Sequence, residues 1–412
     1  MSLLKREFLP SIAHEAVHMR KFNIKILLLL SLGHMVTDIY QGALLTTLPF
    51  LKENLSLSYT MTGIILMAAN FTSSIIQPMF GFLSDKKKKP LLLPIGCICA
   101  GLGLSLLGLT SSYTCVLVLV ILSGLGIASY HPEGYKTAHY FTGEKRVTGM
   151  AIFSLGGNLG FALGPLVTIY VIKYMGFSSL PIMVIPCLMF TALIFFYWRT
   201  VTTPRTDMEE NLKHKTPDER PKGAYLSLLL IIVFVIIRSW MQMGLMSYIP
   251  FYYINYLQGD PLYAGQLVFI MLLGSVLGTL GGAPLADMWG HKRYLIISML
   301  LTTLISPVFF IAEGYLIFIV LGLLGMLVGS TFTVTIVMAQ HLMPKNLGVA
   351  SGLIVGFAIG AGGICVALLG VVADHFGVPF ALKAIMILPL FGLLLSIMLK
   401  YQELSPIAEK VP

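Results

Sequence analysis

Gly33-His34-Met35-Val36-Thr37-Asp38-Ile39-Tyr40-Gln41 lies between two apolar runs, Ile26 to Leu32 and Leu44 to Phe50. A helix through all three is long enough to lie in hydrocarbon, which puts His34 and Asp38 about halfway across a bilayer. An ionisable group there costs roughly 3 kcal/mol or more, and it marks a cavity or the interior of a helix bundle. Four residues apart on a helix, His34 and Asp38 share a face, with Gln41 one turn further on. The rest of the chain reads as a housing for that face.

Composition agrees. Of 412 residues 57% are hydrophobic and 11% charged, with a mean hydropathy of +0.87, values that exclude a water-soluble domain. The net charge of +9 does not describe a nucleic-acid surface, because the basic residues fall between apolar runs instead of forming one patch. The cysteines Cys97, Cys99, Cys115, Cys187 and Cys365 all lie inside apolar runs and are odd in number. They read as small hydrophobes, neither disulfides nor metal ligands, and the sequence implies no cofactor. Residues 1–22 are polar and basic, with Lys5, Arg6, Arg20 and Lys21, and read as a retained cytoplasmic segment.

Twelve apolar segments are long enough to span, at about 23–51, 59–84, 89–110, 113–139, 146–173, 179–199, 223–257, 260–286, 292–313, 314–342, 346–376 and 378–402. This predicts an all-α polytopic membrane protein with six-helix bundles at 23–199 and 223–402, a polar cytoplasmic linker at 200–222 and a cytoplasmic tail at 403–412. Of 27 lysines and arginines, only Lys52, Lys173 and Lys383 fall on the side opposite the N-terminus, and Arg238 falls inside a span. The positive-inside rule then places both termini in the cytoplasm. The halves also look like copies. Pro49 with Pro250, Asp85 with Asp287, Gly149 with Gly348, Gly157 with Gly356 and Gly164 with Gly363 recur at offsets of 199 to 202 residues. Because six is even, both copies enter the membrane in one direction, the parallel-repeat plan of alternating-access transporters with a midplane site between the halves.

Two loops carry a family likeness. Gly81-Phe82-Leu83-Ser84-Asp85-Lys86-Lys87-Lys88-Lys89 and Leu285-Ala286-Asp287-Met288-Trp289-Gly290-His291-Lys292-Arg293 resemble the G-x-L-x-D-x-x-G-R-K loop of the major facilitator superfamily. The first replaces the later Gly-Arg with lysines, and the second has Ala283 for the leading glycine. The resemblance implies a cytoplasmic gate made by Asp85, Asp287, Lys292 and Arg293, in which each aspartate receives hydrogen bonds from a neighbouring helix N-terminus while the cations sit at the headgroups.

Within the superfamily the chain is similar to the fosmidomycin-resistance proteins. The matching stretches are Gly33-His34 through Asp38, Tyr130-His131-Pro132-Glu133, Gly156-Gly157-Asn158 with Gly160 and Gly164-Pro165, Ala339-Gln340-His341-Leu342-Met343-Pro344 with Ser351-Gly352-Leu353, and Ala373-Asp374-His375. That likeness implies a proton-driven exporter of small compounds, with resistance to a phosphonate antibiotic as its phenotype. One departure is Val120, where many drug exporters of the superfamily carry an arginine; proton coupling then falls to Asp38, His34 or Glu133.

The residues support roles of their own. Asp38, removed from water, suits a group that loads and releases a proton, and His34 can share it. Pro132 removes a backbone donor and is expected to bend its helix, turning Glu133 toward the cavity as a second proton carrier. Arg238, in the repeat partner of the first helix, sets a base opposite an acid across the expected cleft. Its planar fork can hold an anionic substrate, or it can pair with Asp38 in the empty state. Gln242, His131, Asn158 and Gln41 complete the expected substrate contacts, and Tyr248 and Tyr252 follow Arg238 on the same helix.

The favoured reading is a monomeric proton-coupled antiporter that exports small, anionic, phosphonate-like drugs from the cytoplasm across the cell membrane. A symporter importing a small organic anion or sugar is the alternative on the same scaffold. A membrane-embedded enzyme or metal site built from His34, Asp38, His131 and Glu133 is disfavoured, because no H-E-x-x-H or cysteine pair with ligand spacing is present.

Overall fold

The structure, a computed structural model, describes residues 22–202, 224–358 and 360–401. The expected N-terminal segment (apart from Phe22), nearly all of the linker and the tail lie outside the described residues. Among those described, eleven helices are long and apolar enough to cross a membrane. They are α1 (Ile24–Asn54), α2 (Met61–Lys86), α3 (Leu92–Leu109), α4 (Tyr113–His139), α5 (Arg146–Met175), α6 (Phe177–Phe196), α7 (Ala224–Ile254), α8 (Tyr263–Trp289), α9 (His291–Phe310), α10 (Tyr315–Leu342) and, last in the chain, α12 (Val378–Met398). The segment expected at 346–376 is α11, built in two pieces, Leu347–Ala358 and Gly362–Phe376.

Polar residues set the helix ends. Asn23, Ser58 and Ser112 cap α1, α2 and α4 by accepting from Ile26, Met61 and Cys115 N–H groups. Gly176, Gly290, Gly314 and Gly377 make tight turns with positive φ. Pro132 lies inside α4, which runs unbroken from Tyr113 to His139.

Helices α1 and α5 pack along one another, as do α8 and α10. The first contact is close because Gly156, Gly160 and Gly164 of α5 lie against the backbone of Ser31, Met35 and Ile39, and a Cβ at any of them would collide. The first six and last six helices meet along two seams, α2 with α11 and α5 with α8. At the first seam Gly81 and Gly348 touch backbone to backbone. Both helices of this seam depart from α geometry where they meet. In α2, Phe71–Ile75 forms a π turn; in α11, Gly352–Ala358 is π-helical, and Gly356 rests on Ser74 and Gln77. Gly348, Gly352, Gly356 and Gly360 thus give α2 a surface without side chains.

Lys86 to Lys89, Lys145, Arg146, Arg293 and Lys345 share one end of the bundle, its basic end. Large apolar side chains such as Phe196, Met288, Ile311 and Tyr315 are exposed around the outside, as lipid contact requires.

Candidate functional site

His34, Asp38 and His131 meet at the contact of α1 and α4, with exposures of 4%, 8% and 5%. His34 Nε2 is 3.3 Å from Asp38 Oδ2, and His131 Nε2 is 2.9 Å from Asp38 Oδ1. Gly157 of α5 leaves the space that the His34 ring and the carboxylate fill. His34 stacks on Phe153 with ring centroids 4.4 Å apart, and its Nδ1 is 3.0 Å from the Phe153 carbonyl oxygen. On the other side, Gln77 Nε2 lies 3.2 Å from His131 Nδ1 and 2.7 Å from the Ser73 carbonyl oxygen.

These partners fix the protons. A carbonyl only accepts, so His34 Nδ1 carries hydrogen and donates to Phe153, leaving Nε2 as a lone pair aimed at a carboxylate. Two acceptors would repel at that distance unless a proton sits between them. Likewise the Ser73 carbonyl requires the amide nitrogen of Gln77 on its side, so that NH2 group also donates to His131 Nδ1. His131 Nε2 therefore carries hydrogen and donates to Asp38. A proton placed between His34 Nε2 and Asp38 Oδ2 would satisfy both.

The ligand atoms of His34, Asp38 and His131 all lie within 4.8 Å of one another, close enough to surround a metal ion. His34 has the usual second partner of a metal-bound imidazole, a carbonyl on its far nitrogen. His131 does not fit: freeing its Nε2 lone pair would turn the Gln77 oxygen against the Ser73 carbonyl. The donor set suits a proton, not a cation.

Glu133 is fully buried, so it is not turned to an open cavity as its place after Pro132 suggests. Its Oε1 accepts from Thr137 Oγ1 at 3.5 Å, one turn further along α4.

At the basic end, both aspartates bridge the halves. Asp85 Oδ1 and Oδ2 accept from the backbone N–H of Gly348 and Val349, each at 2.9 Å. Asp287 accepts from Val147 N–H and Thr148 N–H at 2.9 Å and from Thr148 Oγ1 at 2.6 Å. Each carboxylate thus closes the N-terminus of a helix in the opposite half. Gly348 and Val349 follow Val147 and Thr148 by 201 residues, so the two bridges correspond and set Gly348 against Val147, two residues away from the Gly149 that the sequence repeat paired with it. Lys136 Nζ stands 3.4 Å from Asp85 Oδ1 and donates to the Ser84 carbonyl. Gln340 accepts from His139 Nδ1 at 2.8 Å and donates to the Tyr135 carbonyl and Ser351 Oγ, which ties α4 to α10 and α11. Of the expected gate cations, Lys292 is half-buried and Arg293 exposed.

Arg238 is 5% exposed. Nη1 lies 3.4 Å from Gln242 Oε1, Nη2 lies 3.5 Å from Ser239 Oγ, and the guanidinium sits 5.2 Å from the Phe332 ring centre. Its Nε has no hydrogen-bond partner among the described residues, and no ion pair among them includes it. The pair with Asp38 is not formed, because His34 and His131 take both carboxylate oxygens. A buried guanidinium without a counter-ion is costly, and an anion would relieve that cost.

Two pockets in corresponding places of the halves complete the site. The first encloses about 580 Å³, counting space open to solvent, and its lining includes Gln41, Leu44, Asn70, Ser73, Gly124 and Ile127. The second is smaller, and Gln242, Leu245, Gly325 and Val328 in its lining follow Gln41, Leu44, Gly124 and Ile127 by 201 residues. Both lie toward the end opposite the basic one. Gln41 and Asn70 make no hydrogen bond among the described residues and offer free amides to the larger pocket, whereas Gln242 is tied to Arg238. Asn158 is exposed on α5 and lines neither pocket, nor do Tyr248 and Tyr252. His131, expected as a substrate contact, belongs to the proton cluster. Sequence reasoning missed Gln77 and the carbonyls of Phe153 and Ser73, and it gave Gln340 no role beyond the family likeness. Gln77 carries only the signal of a polar side chain in an apolar run.

The Major Facilitator Superfamily profile matches residues 30–354 and again 233–411. YfnC, an uncharacterized MFS-type transporter of Bacillus subtilis (strain 168), is 32% identical over 383 residues, or 92% of this chain and 94% of that one. The fosmidomycin resistance protein of Escherichia coli (strain K12) is 30% identical over 369 residues, or 89% of this chain and 90% of that one. Among solved structures, the E. coli fucose:proton symporter FucP aligns with a TM-score of 0.69 at 16% identity, over 92% of this chain and 99% of that one.

Proposed function

The chain belongs to the major facilitator superfamily of membrane transporters, in the family of the fosmidomycin resistance protein, and from that premise we propose that it is a proton-coupled antiporter exporting small anionic compounds. The membrane is the cytoplasmic one, with both termini and the basic end inside. Residues 23–199 and 223–402 act as two bodies that rock about the midplane site, and one chain suffices. It carries small molecules and is not an enzyme.

The observation that carries this reading is a buried cluster of His34, Asp38 and His131 in the first half set against a buried guanidinium with no ion pair among the described residues in the second. Asp38 and His34 hold the proton; Arg238 with Gln242 receives the anionic group of the substrate; Gln41 and Asn70 meet its neutral part in the larger pocket. With both aspartate bridges made, the state described is closed to the cytoplasm. There a proton enters from outside, and its release on the inner side resets the site for the next anion.

The likeness to the fosmidomycin resistance protein supports a phosphonate as first test substrate. In proteoliposomes, an inward proton gradient should drive export of fosmidomycin by the parent protein and not by Asp38→Asn. Equal flux in both removes the proton role of Asp38, and gradient-driven uptake would replace export by symport.

A further inference from the structure

Gln77 touches both the proton cluster and the seam between the halves. Its side chain is 3% exposed, with the amide nitrogen shared between Ser73 O and His131 Nδ1. Its backbone carbonyl lies against Gly352, and its Cβ and Cδ lie against Gly356, so closely that a methyl on either glycine would collide. Its Oε1 is buried with no hydrogen-bond partner among the described residues. The π turn Phe71–Ile75 immediately precedes it.

An amide N–H and a proton cannot occupy the same lone pair. While α11 pins Gln77, its N–H fills His131 Nδ1, and the ring stays neutral with Nε2–H donating to Asp38. For His131 to take a proton at Nδ1, the amide must turn its oxygen to the ring, give up Ser73, and find room where Gly356 now presses. The unpartnered Oε1 shows what the closed seam denies: an acceptor is held in place without a donor, and it gains one when the amide turns to a charged ring. The groups around His131 are Asp38 and His34 on α1, Gln77 on α2, and Tyr130, Glu133 and Tyr135 on α4; α5 presents Phe153, and α11 lays Gly352 and Gly356 against Gln77.

We propose that Gln77 is the positioning residue that links proton occupancy of His131 to closure of the α2–α11 seam. Closed, the seam keeps the ring neutral; open, it lets the ring charge. The linkage is reciprocal, so protonation favours opening by the same factor by which opening favours protonation. This rests on the proton-carrier reading above and names the residue through which the proton is felt at the gate.

The test uses the full chain in nanodiscs, without substrate, in a background lacking reactive cysteines. Spin labels go at Lys89→Cys and Lys345→Cys, both exposed at the basic end on opposite halves. Electron–electron distances are read from pH 8 to pH 5. Acid should lengthen the parent distance. Gln77→Leu, which can neither fill nor release Nδ1, should lose most of that pH response. Gln77→Glu keeps the packing against Gly352 and Gly356 and accepts from a charged ring, so its midpoint should rise by about one pH unit or more. A parent distance that ignores pH, or variants that keep the parent midpoint and amplitude, would overturn the proposal. Flux through Asp38→Asn separates the two readings: lost flux with unchanged Gln77 responses removes only the coupling role. Retained flux with altered Gln77 responses removes only the carrier role of Asp38.

Discussion

At the scale of single residues, two buried sites each call for a charge: His34 and Asp38 face each other at 3.3 Å and need a proton between them, and Arg238 has no ion pair among the described residues. Arg238→Ala should weaken anionic substrates by roughly 10- to 100-fold, the worth of a charge-assisted hydrogen bond at about 1.5–3 kcal/mol, and leave neutral ones nearly unchanged. Equal loss for both, measured as KM in proteoliposomes, would make the arginine structural. His34→Gln should retain binding and lose gradient-driven flux, because its amide can donate to Asp38 but cannot store a proton; unchanged flux would move the carrier to Glu133. The pairing of His34 with Asp38 was legible in the sequence, since four residues in an apolar helix put two ionisable groups on one face. Their partners were not. Phe153 and Ser73 act through backbone carbonyls, which every residue possesses, and Gln77 looks like any amide until its helix is placed.

At the scale of helices, small residues and carboxylates divide the labour. The Gly156, Gly160 and Gly164 stripe lets α5 lie on the backbone of α1 and so presses Gly157 and Phe153 around the His34 ring. Gly160→Ala should destabilise the protein by about 1–3 kcal/mol through overpacking, seen as a lowered Tm; an unchanged Tm would mean that α1 and α5 separate freely. Asp85 and Asp287 hold the basic end shut through helix N-termini. Asp85→Asn should favour the open form by about 2 kcal/mol, roughly 30-fold in population. In that variant Ala350→Cys, buried at the seam, should react with a maleimide many-fold faster, and equal rates would deny the latch. The aspartates were recognisable from the loop pattern, and the broken α11 was not: a glycine-rich apolar run reads as one span until its contact with Gln77 and Ser74 demands a π-helical surface.

Across the whole molecule, two copies of one plan have drifted apart where function requires it. Corresponding pockets survive in both halves, but Ser123 stands where the second half has Leu324, and the proton cluster of α1 is answered in α7 by Arg238. On the proposed reading, proton and anion are thereby kept in different halves, and a rocking motion about the seams exposes them in alternation. The sequence repeat, with offsets of 199 to 202 residues, made this plan readable, whereas the asymmetry of the seams came from contacts between helices far apart in the chain. The most direct measurement follows a radiolabelled phosphonate into inside-out vesicles bearing an acidic interior, for the parent protein and Asp38→Asn. Uptake should be uphill in the parent and collapse with a protonophore, and Asp38→Asn should exchange label for label without accumulating it. Uphill uptake by Asp38→Asn, or parent uptake indifferent to the protonophore, would contradict the claim that the buried proton drives transport.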